Sequence, residues 1–319
     1  MNRFIKIFTN PKSALKYMLI KTARLYGDEL FLKMMFPLRV GYKLNLNNPK
    51  TYNEKLQWMK LHNRKSIYTK MVDKVEAKEF VANIIGEEYI IPTLGVYNSA
   101  DDIDFDSLPK QFVLKCTHDS GGIVVCKDKS RLNIKEAKNK LRKGLRRCYY
   151  YQNREWPYKN VPRRIIAEKY MVDESGYELK DYKFFCFDGK VELLFIATDR
   201  TKIDEEVKFD FFDANFNHLP IVNGHPNSNK LMTKPKEFEQ MKLIAEKLSK
   251  GLPHLRVDLY NVNGKIYFGE LTFFHFSGMV PFNPMKWDIK LGEMIDLAQC
   301  ETERNCNNLI NNNLGGGVK

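Results

Sequence analysis

Apolar and basic positions alternate at roughly helical period through SALKYMLIKTARLYGDELFLKMMF (residues 13–36), which predicts one or two helices, the second opened by Asp28 and Glu29. Residues 53–63 and 70–84 read as further helices. EEYIIPTLGVYNS then predicts a strand holding a Pro and a Gly, followed by an acidic loop, Asp101 to Asp106. From Gln111 the pattern changes: QFVLKCT is a compact strand, HDSGG a turn and IVVCKD the returning strand. A basic helix follows over 131–147, then RRIIAEKYM, a strand running into a linker. DYKFFCF-DG-KVELLFIAT is a hairpin with an Asp-Gly turn, 235–250 is a helix, and HLRVDLYNV-NG-KIYFGELTF is a second hairpin, with an Asn-Gly turn. The tail NNLINNNLGGGVK is of low complexity and reads as disordered. Helices followed by a strand-rich region with crossing helices predict an α+β (mixed α/β) fold rich in antiparallel hairpins.

Composition sets the class. At 319 residues and 43% hydrophobic content, the chain can build one or two real cores and is too apolar for a disordered protein. The net charge of +13 is uneven: residues 1–70 carry 15 Lys/Arg (Arg3 to Lys70) against Asp28, Glu29 and Glu54, hence 15 − 3 = +12. Such a region reads equally as a patch for an anionic partner or as a solvated helical face. The six cysteines include no Cys-x-x-Cys and no zinc spacing, which fits reduced thiols in a cytoplasmic protein. No apolar run is long enough to span a bilayer, and Met1 to Ile20 has scattered lysines and no small-residue cleavage site, so it is not read as a secretory signal.

Three pieces carry chemistry. Arg256 and Asp258 lie two apart on one strand and share a face, while Glu270 and Thr272 fall on the returning strand. Two carboxylates with an arginine on a sheet suit magnesium and phosphate; alone, they read as readily as a solvent-facing ion-pair ladder. Lys115 ends an apolar strand and runs into Ser120-Gly121-Gly122, a turn whose N–H groups can cover phosphates, although most such turns are only turns. Glu168, Lys169 and Met171 follow a strand that should be buried, where an adenine or a surface ion pair would satisfy the polar groups.

In this order these pieces resemble the ATP-grasp superfamily, in which a strand lysine precedes a mobile glycine-rich loop, a Glu-Lys-aromatic-aliphatic linker holds adenine, and Arg-x-Asp and Glu-x-Asn strands close the metal site, as in D-alanine–D-alanine ligase. More closely, YNEKLQWMKLHNR, Asp73-Lys74, FVLKCTHDSGG, DYKFFCFDGKVE and RVDLYNVNGKIYFGELTF are similar to the TupA-like ATP-grasp proteins, named for teichuronopeptide biosynthesis, over about residues 40–285. The resemblance implies an ATP-grasp fold behind a basic helical N-terminal region (1–70), with a pre-grasp α/β segment (71–110), a small subdomain (111–172), a large subdomain with the metal site (173–300) and a tail (301–319).

The resemblance also implies roles. Lys115 and Lys183 would contact the ATP phosphates, Ser120, Gly121 and Gly122 would close over them, and Glu168 with the backbone of Lys169 and Met171 would read adenine. Asp258 and Glu270 would bind Mg²⁺, and Arg256 would stabilise charge on the transferred phosphoryl group or the tetrahedral intermediate. Thr272 stands where the family pattern has Asn, and the ribose-binding acid stays open between Glu174, Glu178 and Asp181. His118 and His275 read equally as site or structural residues. The implied activity is a carboxylate–amine ligase acting on a bacterial cell-surface polysaccharide or a lipid-linked glycan precursor, with the basic region meeting the inner face of the membrane.

Rival readings are a capsule or O-antigen glycosyltransferase using the Asp-x-Asp patterns of Asp102-Ile103-Asp104 and Asp104-Phe105-Asp106, a kinase on the same fold, and a non-catalytic anion-binding protein. No nucleic-acid motif accompanies the charge, so no nucleic-acid partner is expected.

Overall fold

The computed structural model describes residues 11–199, 206–228, 230, 232–298 and 300. The tail read at 301–319 lies outside the described residues. The first helical stretch forms two helices, α1 (Pro11–Lys21) and α2 (Asp28–Val40). Asp28 and Glu29 occupy the first turn of α2, where the helix dipole favours acids. Leu19, Phe31, Leu32, Met35 and Phe36 pack into a small core of their own.

A capping box opens α3 (Tyr52–His62): the Thr51 hydroxyl accepts from the Glu54 N–H, and Glu54 accepts from the Thr51 N–H, each at 3.2 Å. The single helix expected over 70–84 is instead α4 (Ile67–Val72) and α5 (Glu76–Ile85). The break falls at Asp73, whose backbone is extended and whose carboxylate accepts from the Val75 N–H at 2.9 Å and pairs with Arg164 at 2.5 Å.

The small sheet contains β1 (Thr93–Tyr97), β2 (Phe112–Cys116), β3 (Ile123–Cys126) and β4 (Ile165–Lys169), in the order β1-β4-β2-β3, all antiparallel. Because β1 pairs with β4, the expected boundary at 110 cuts through this sheet: pairing across some seventy residues of sequence leaves no local signal. Helix α6 (Ile134–Leu145) covers one face, with Ala137 and Leu141 on Phe112, Leu114 and Cys116; a one-turn helix α7 (Tyr150–Asn153) follows. The other face, with Val113, Lys115, Ile123, Val125 and Glu168, stays open as the floor of a cleft.

The large antiparallel sheet runs β11-β10-β5-β6-β7-β8, from β5 (Asp181–Phe187), β6 (Lys190–Thr198), β7 (Lys208–Asp213), β8 (His218–Leu219), β10 (His254–Val262) and β11 (Lys265–Thr272). A two-stranded ribbon pairs β9 (Val222–Asn223) with β12 (Phe282–Asn283). Both expected hairpins form. Asp188 and Gly189 (φ 48° and 74°) and Asn263 and Gly264 (φ 52° and 85°) make the left-handed two-residue turns that match strand twist.

All seven residues of β5 are buried because both faces of the sheet are covered. Phe184, Cys186, Leu255 and Val257 face α8 (Phe238–Ser249). On the opposite face Phe185, Phe187 and His254 pack against Tyr52 of α3, whose hydroxyl bonds His254 Nε2 at 2.9 Å. Further along that face the residues turn polar, and there the sheet meets the cleft. A last helix, α9 (Lys286–Glu293), packs on α3.

Candidate active site

A cleft of about 330 Å³ opens between the two sheets, walled by α4 and α5. The small sheet supplies Val113, Lys115, Ile123, Val125 and Glu168, and the linker after β4 supplies Lys169, Tyr170 and Met171. The large sheet supplies Asp181, Lys183, Tyr260, Phe268 and Glu270, and α5 with its approach supplies Lys74 and Lys78. The cleft is thus apolar at the small sheet and charged where the sheets meet, the distribution that a ligand with a flat base and a polyanionic tail requires.

Glu168 organises the charged end of the small sheet. Its carboxylate takes Lys78 at 2.5 Å on one oxygen and Lys115 at 2.6 Å on the other. Burial pushes this carboxyl up, but the two lysines outweigh it and hold it at about 2. Glu168, expected at the base, here fixes two ammonium groups in the cleft. The N–H of Lys169 is likewise taken, donating to Pro92 O at 3.0 Å, so a base contact from Lys169 has to use its carbonyl.

Arg256 is the hub of the large-sheet half. It donates from Nε to Asp258 Oδ1 at 2.7 Å and from Nη2 to Asp258 Oδ2, Glu270 Oε1 and Thr272 Oγ1 at 2.8, 2.9 and 3.0 Å. Its Nη1 donates to His275 Nδ1 at 2.8 Å. Because a guanidinium only donates, His275 must carry its proton on Nε2, which donates to Asn223 Oδ1 at 2.8 Å. The Asn223 amide is anchored in turn on the carbonyls of Val280 and Pro281. Burial, then Arg256 and Lys183, keep the His275 ring well below its ordinary pKa and neutral. His275 therefore braces Arg256 and does not line the cleft.

Lys183 pairs with Asp181 at 2.7 Å and donates to Asp258 Oδ2. Asp258 is fully buried with both oxygens engaged by Arg256 and Lys183, whereas 43% of the Glu270 side chain is exposed. Partial burial raises the Glu270 carboxyl, but Lys183, Arg256 and Lys74 together hold it at about 2. The two carboxylates lie within hydrogen-bond reach of each other. Among the described residues no group of three or more His, Cys, Asp or Glu side chains converges as a metal site, so the expected pair stands alone. Two carboxylates nevertheless fit Mg²⁺, which commonly takes one or two of them together with phosphate oxygens and water. Glu270 fits as it stands; Asp258 fits once Lys183 swings off it.

The glycine-rich turn lies outside the cleft lining. Gly122 is required by packing: a Cβ there would sit 2.6 Å from Cys116 Sγ and 3.4 Å from the Gly144 Cα. Gly121 is exposed beside Arg147, Ser120 contacts the Tyr149 hydroxyl, and Lys74 donates to Asp119 O at 2.9 Å. His118 donates through Nε2 to Arg147 O at 3.1 Å, a structural role. Of the three candidate ribose acids, Glu178 and Asp181 line the cleft, while Glu174 is on the surface and pairs with Lys180 at 2.6 Å.

Over residues 54–296 the chain matches the family model described as TupA-like ATPgrasp. The chain belongs to the TupA-like ATP-grasp family. Among solved structures, this TupA-like protein is similar to D-alanine–D-alanine ligase from Bacillus anthracis, at 18% identity over 74% of this chain and 68% of the ligase, with a TM-score of 0.43. For the same ligase complexed with ATP the identity is 18% over 64% of this chain, which spans 53% of that ligase, with a TM-score of 0.38. D-cycloserine synthetase DcsG shares 13% identity over 73% of each chain, with a TM-score of 0.41. Comparison with curated proteins finds no match.

Two features of this TupA-like site escaped sequence reasoning. One is Lys78, which lies on α5 beside the buried Ala77 and four residues after Lys74 of the preceding turn; both lysines line the cleft, and that spacing is the signal the sequence offers. The other is α3. Asn53, Gln57 and Lys60 look like surface residues, yet all are buried. Gln57 donates to the carbonyls of Ser277 and Gly278 at 3.1 and 2.8 Å, and Lys60 donates to Ser277 O at 2.7 Å. They hold Phe276, Ser277 and Gly278 in three consecutive left-handed conformations (φ 46°, 58° and 57°) just beyond His275. Strain of this kind persists only where the surroundings over-determine it.

Proposed function

We propose that this protein binds ATP and Mg²⁺ in the inter-sheet cleft and uses them to join a carboxylate to an amine on a bacterial cell-surface polysaccharide or its lipid-linked precursor. One observation carries the reading: the Lys78–Glu168–Lys115 cluster of the small sheet faces the Asp181–Lys183–Asp258–Arg256–Glu270 network of the large sheet across a single cleft. The polysaccharide assignment rests on the family resemblance.

Adenine lies against Val113, Ile123, Val125 and Met171, read by the Lys169 carbonyl and the Met171 backbone. Glu178 or Asp181 takes the ribose hydroxyls. Lys115 and Lys78, held by Glu168, meet the phosphates, and the Ser120–Gly122 loop closes over them by releasing Tyr149. Glu270 and Asp258 would hold Mg²⁺, with Lys183 released from Asp258 to a phosphate, and the ion would supply neutralisation of phosphate charge. An oxygen of the donor carboxylate attacks the γ-phosphorus, the β–γ bridging P–O bond breaks, and ADP leaves. The amine then attacks the acyl carbon, inorganic phosphate departs with the C–O bond pair, and the amine loses a proton. Arg256 is the group assigned to stabilise the negative charge that builds in both steps.

The rival sugar-transfer motif does other work. Asp101 pairs with Arg142 at 2.5 Å, Asp102 accepts from the Ser99 N–H, Asp104 caps the turn to Asp106 and Ser107, and Ile103 and Phe105 are buried; none lines the cleft. Calorimetry with ATP and Mg²⁺ tests the reading. Micromolar binding that is lost in Lys115→Met supports it; no ATP binding by folded wild type, with UDP-sugar binding instead, overturns it.

A further inference from the structure

Helix α1 is covered on one side only. Leu19 and, beyond it, Ala23 are buried against Phe31, Leu32 and Met35. Away from that contact it carries large apolar residues in the open: Tyr17 is 44% exposed and Met18 54%, with Leu15 at 39% on the flank, and Leu25, in the turn that follows, is 78% exposed. Leu15 and Met18 stand one turn apart, as do Met18 and Lys21, so they form one strip. Lys21 Nζ lies 5.4 Å over the Tyr17 ring, and Lys12 and Arg24 are exposed at the two ends.

The charge of this strip is one-sided. From Met1 to Gly27 the sequence holds six Lys/Arg (Arg3, Lys6, Lys12, Lys16, Lys21 and Arg24) and no acid. The next acids along the chain are paired: Asp28 with Arg64 at 2.7 Å and Arg154 at 3.3 Å, and Glu29 with Lys33 at 2.5 Å.

We propose that the outer face of α1 and its following turn rest on an anionic lipid bilayer, with Leu15, Met18 and Leu25 entering the interface and Lys21 and Arg24 meeting the lipid phosphates and carboxylates. Solvent alone gives exposed leucines and methionine no partner, and a nucleic acid gives apolar side chains nothing to enter; a charged interface over hydrocarbon satisfies both sets at once. Contact is peripheral, since among the described residues no helix is long and apolar enough to cross a membrane.

The patch is fixed to the body of the molecule. Arg154, 1% exposed, donates to Ala23 O at 2.5 Å and Tyr26 O at 2.9 Å, and its neighbour Glu155 accepts from the Ser277 hydroxyl beside the site. A docked α1 therefore sets the orientation of the cleft relative to the membrane, as a lipid-linked acceptor would require.

Co-sedimentation of the full chain with vesicles tests this without nucleotide, so its outcome is separate from that of the ligase reading. Wild type is expected to bind phosphatidylcholine–phosphatidylserine vesicles, to bind phosphatidylcholine alone far less, and to be released by high salt. Leu15→Asp/Met18→Asp and Lys21→Glu/Arg24→Glu are each expected to weaken binding about tenfold or more while keeping the wild-type melting temperature. The proposal is overturned if wild type does not bind, if the Asp pair binds as wild type does, or if a homopolymer RNA displaces the vesicles.

Discussion

Asp258 stands directly opposite Glu270 across β10 and β11, one residue out of step with the turn that joins those strands. From Val262↔Lys265 through Leu259↔Phe268 the paired numbers sum to 527, so unbroken register would set Asp258 against Gly269 and turn Glu270 to the far face. A β-bulge at Gly269 shifts the pairing and brings both carboxylates to the cleft side. A Cβ at position 269 would lie 3.0 Å from both Asp258 O and the Tyr260 ring. Gly269→Val is accordingly expected to cost about 1–3 kcal/mol of stability in urea unfolding and to abolish the Mg²⁺ dependence of ATP binding. Unchanged stability and Mg²⁺ dependence would show that the bulge is not needed.

Lys78 and Lys115 share Glu168, so each should hold phosphate. Lys78→Met and Lys115→Met are each expected to weaken ATP binding about 10- to 100-fold and to leave adenosine binding within about twofold of wild type. Calorimetry with both ligands checks this; equal losses for adenosine would mean that the lysines shape the base pocket instead.

Arg256 holds five acceptor contacts on four side chains, and Asp258 depends on it for half of its partners. Arg256→Met leaves a buried carboxylate with Lys183 alone, at a cost of about 3–5 kcal/mol. Thermal unfolding measures it, and Arg256→Met/Asp258→Leu should recover part of the loss.

His254 is fully buried; Nδ1 donates to Cys186 O at 2.9 Å, and Nε2 accepts from Tyr52. Burial pushes its pKa down to about 3. The unfolded chain therefore binds a proton that the native state refuses, and stability falls as pH drops from about 6.5 towards 3, by about 1.4 kcal/mol per unit from this residue. The lowered Glu168 and Glu270 carboxyls act in the same direction only below about pH 4.5. Between pH 6 and 5, His254→Gln should flatten the pH dependence of the unfolding free energy by close to one proton; an unchanged slope would place the titration elsewhere.

Glu178 lines the cleft and Glu174 does not. Glu178→Gln is expected to narrow the difference in affinity between ATP and 2′-deoxy-ATP, and Glu174→Gln to leave it unchanged. If neither does, Asp181 is the ribose ligand.

Much of this was legible along the chain. Helix period and dipeptide turns are local, so both hairpins and the core strands could be read directly; the set Lys115, Glu168, Lys183, Arg256, Asp258 and Glu270 came through the family resemblance, and the fold brings these residues together at the cleft. The partners of those residues could not be read. Lys78 meets Glu168 from ninety positions away, and Asn53, Gln57 and Lys60 of α3 look solvent-facing by pattern until the 275–280 segment buries them.

The sequence by itself determined the elements, their order and the chemical inventory of the cleft, because propensity, period and turn chemistry act over a few residues. Only the tertiary structure decided that β1 joins β4, that Gly269 bulges so that Glu270 faces Asp258, that Glu168 clamps two lysines and that His275 braces Arg256. Each of these depends on hydrogen bonds and burial between segments far apart in the chain, whose free energy exists only once the sheets and helices have come together.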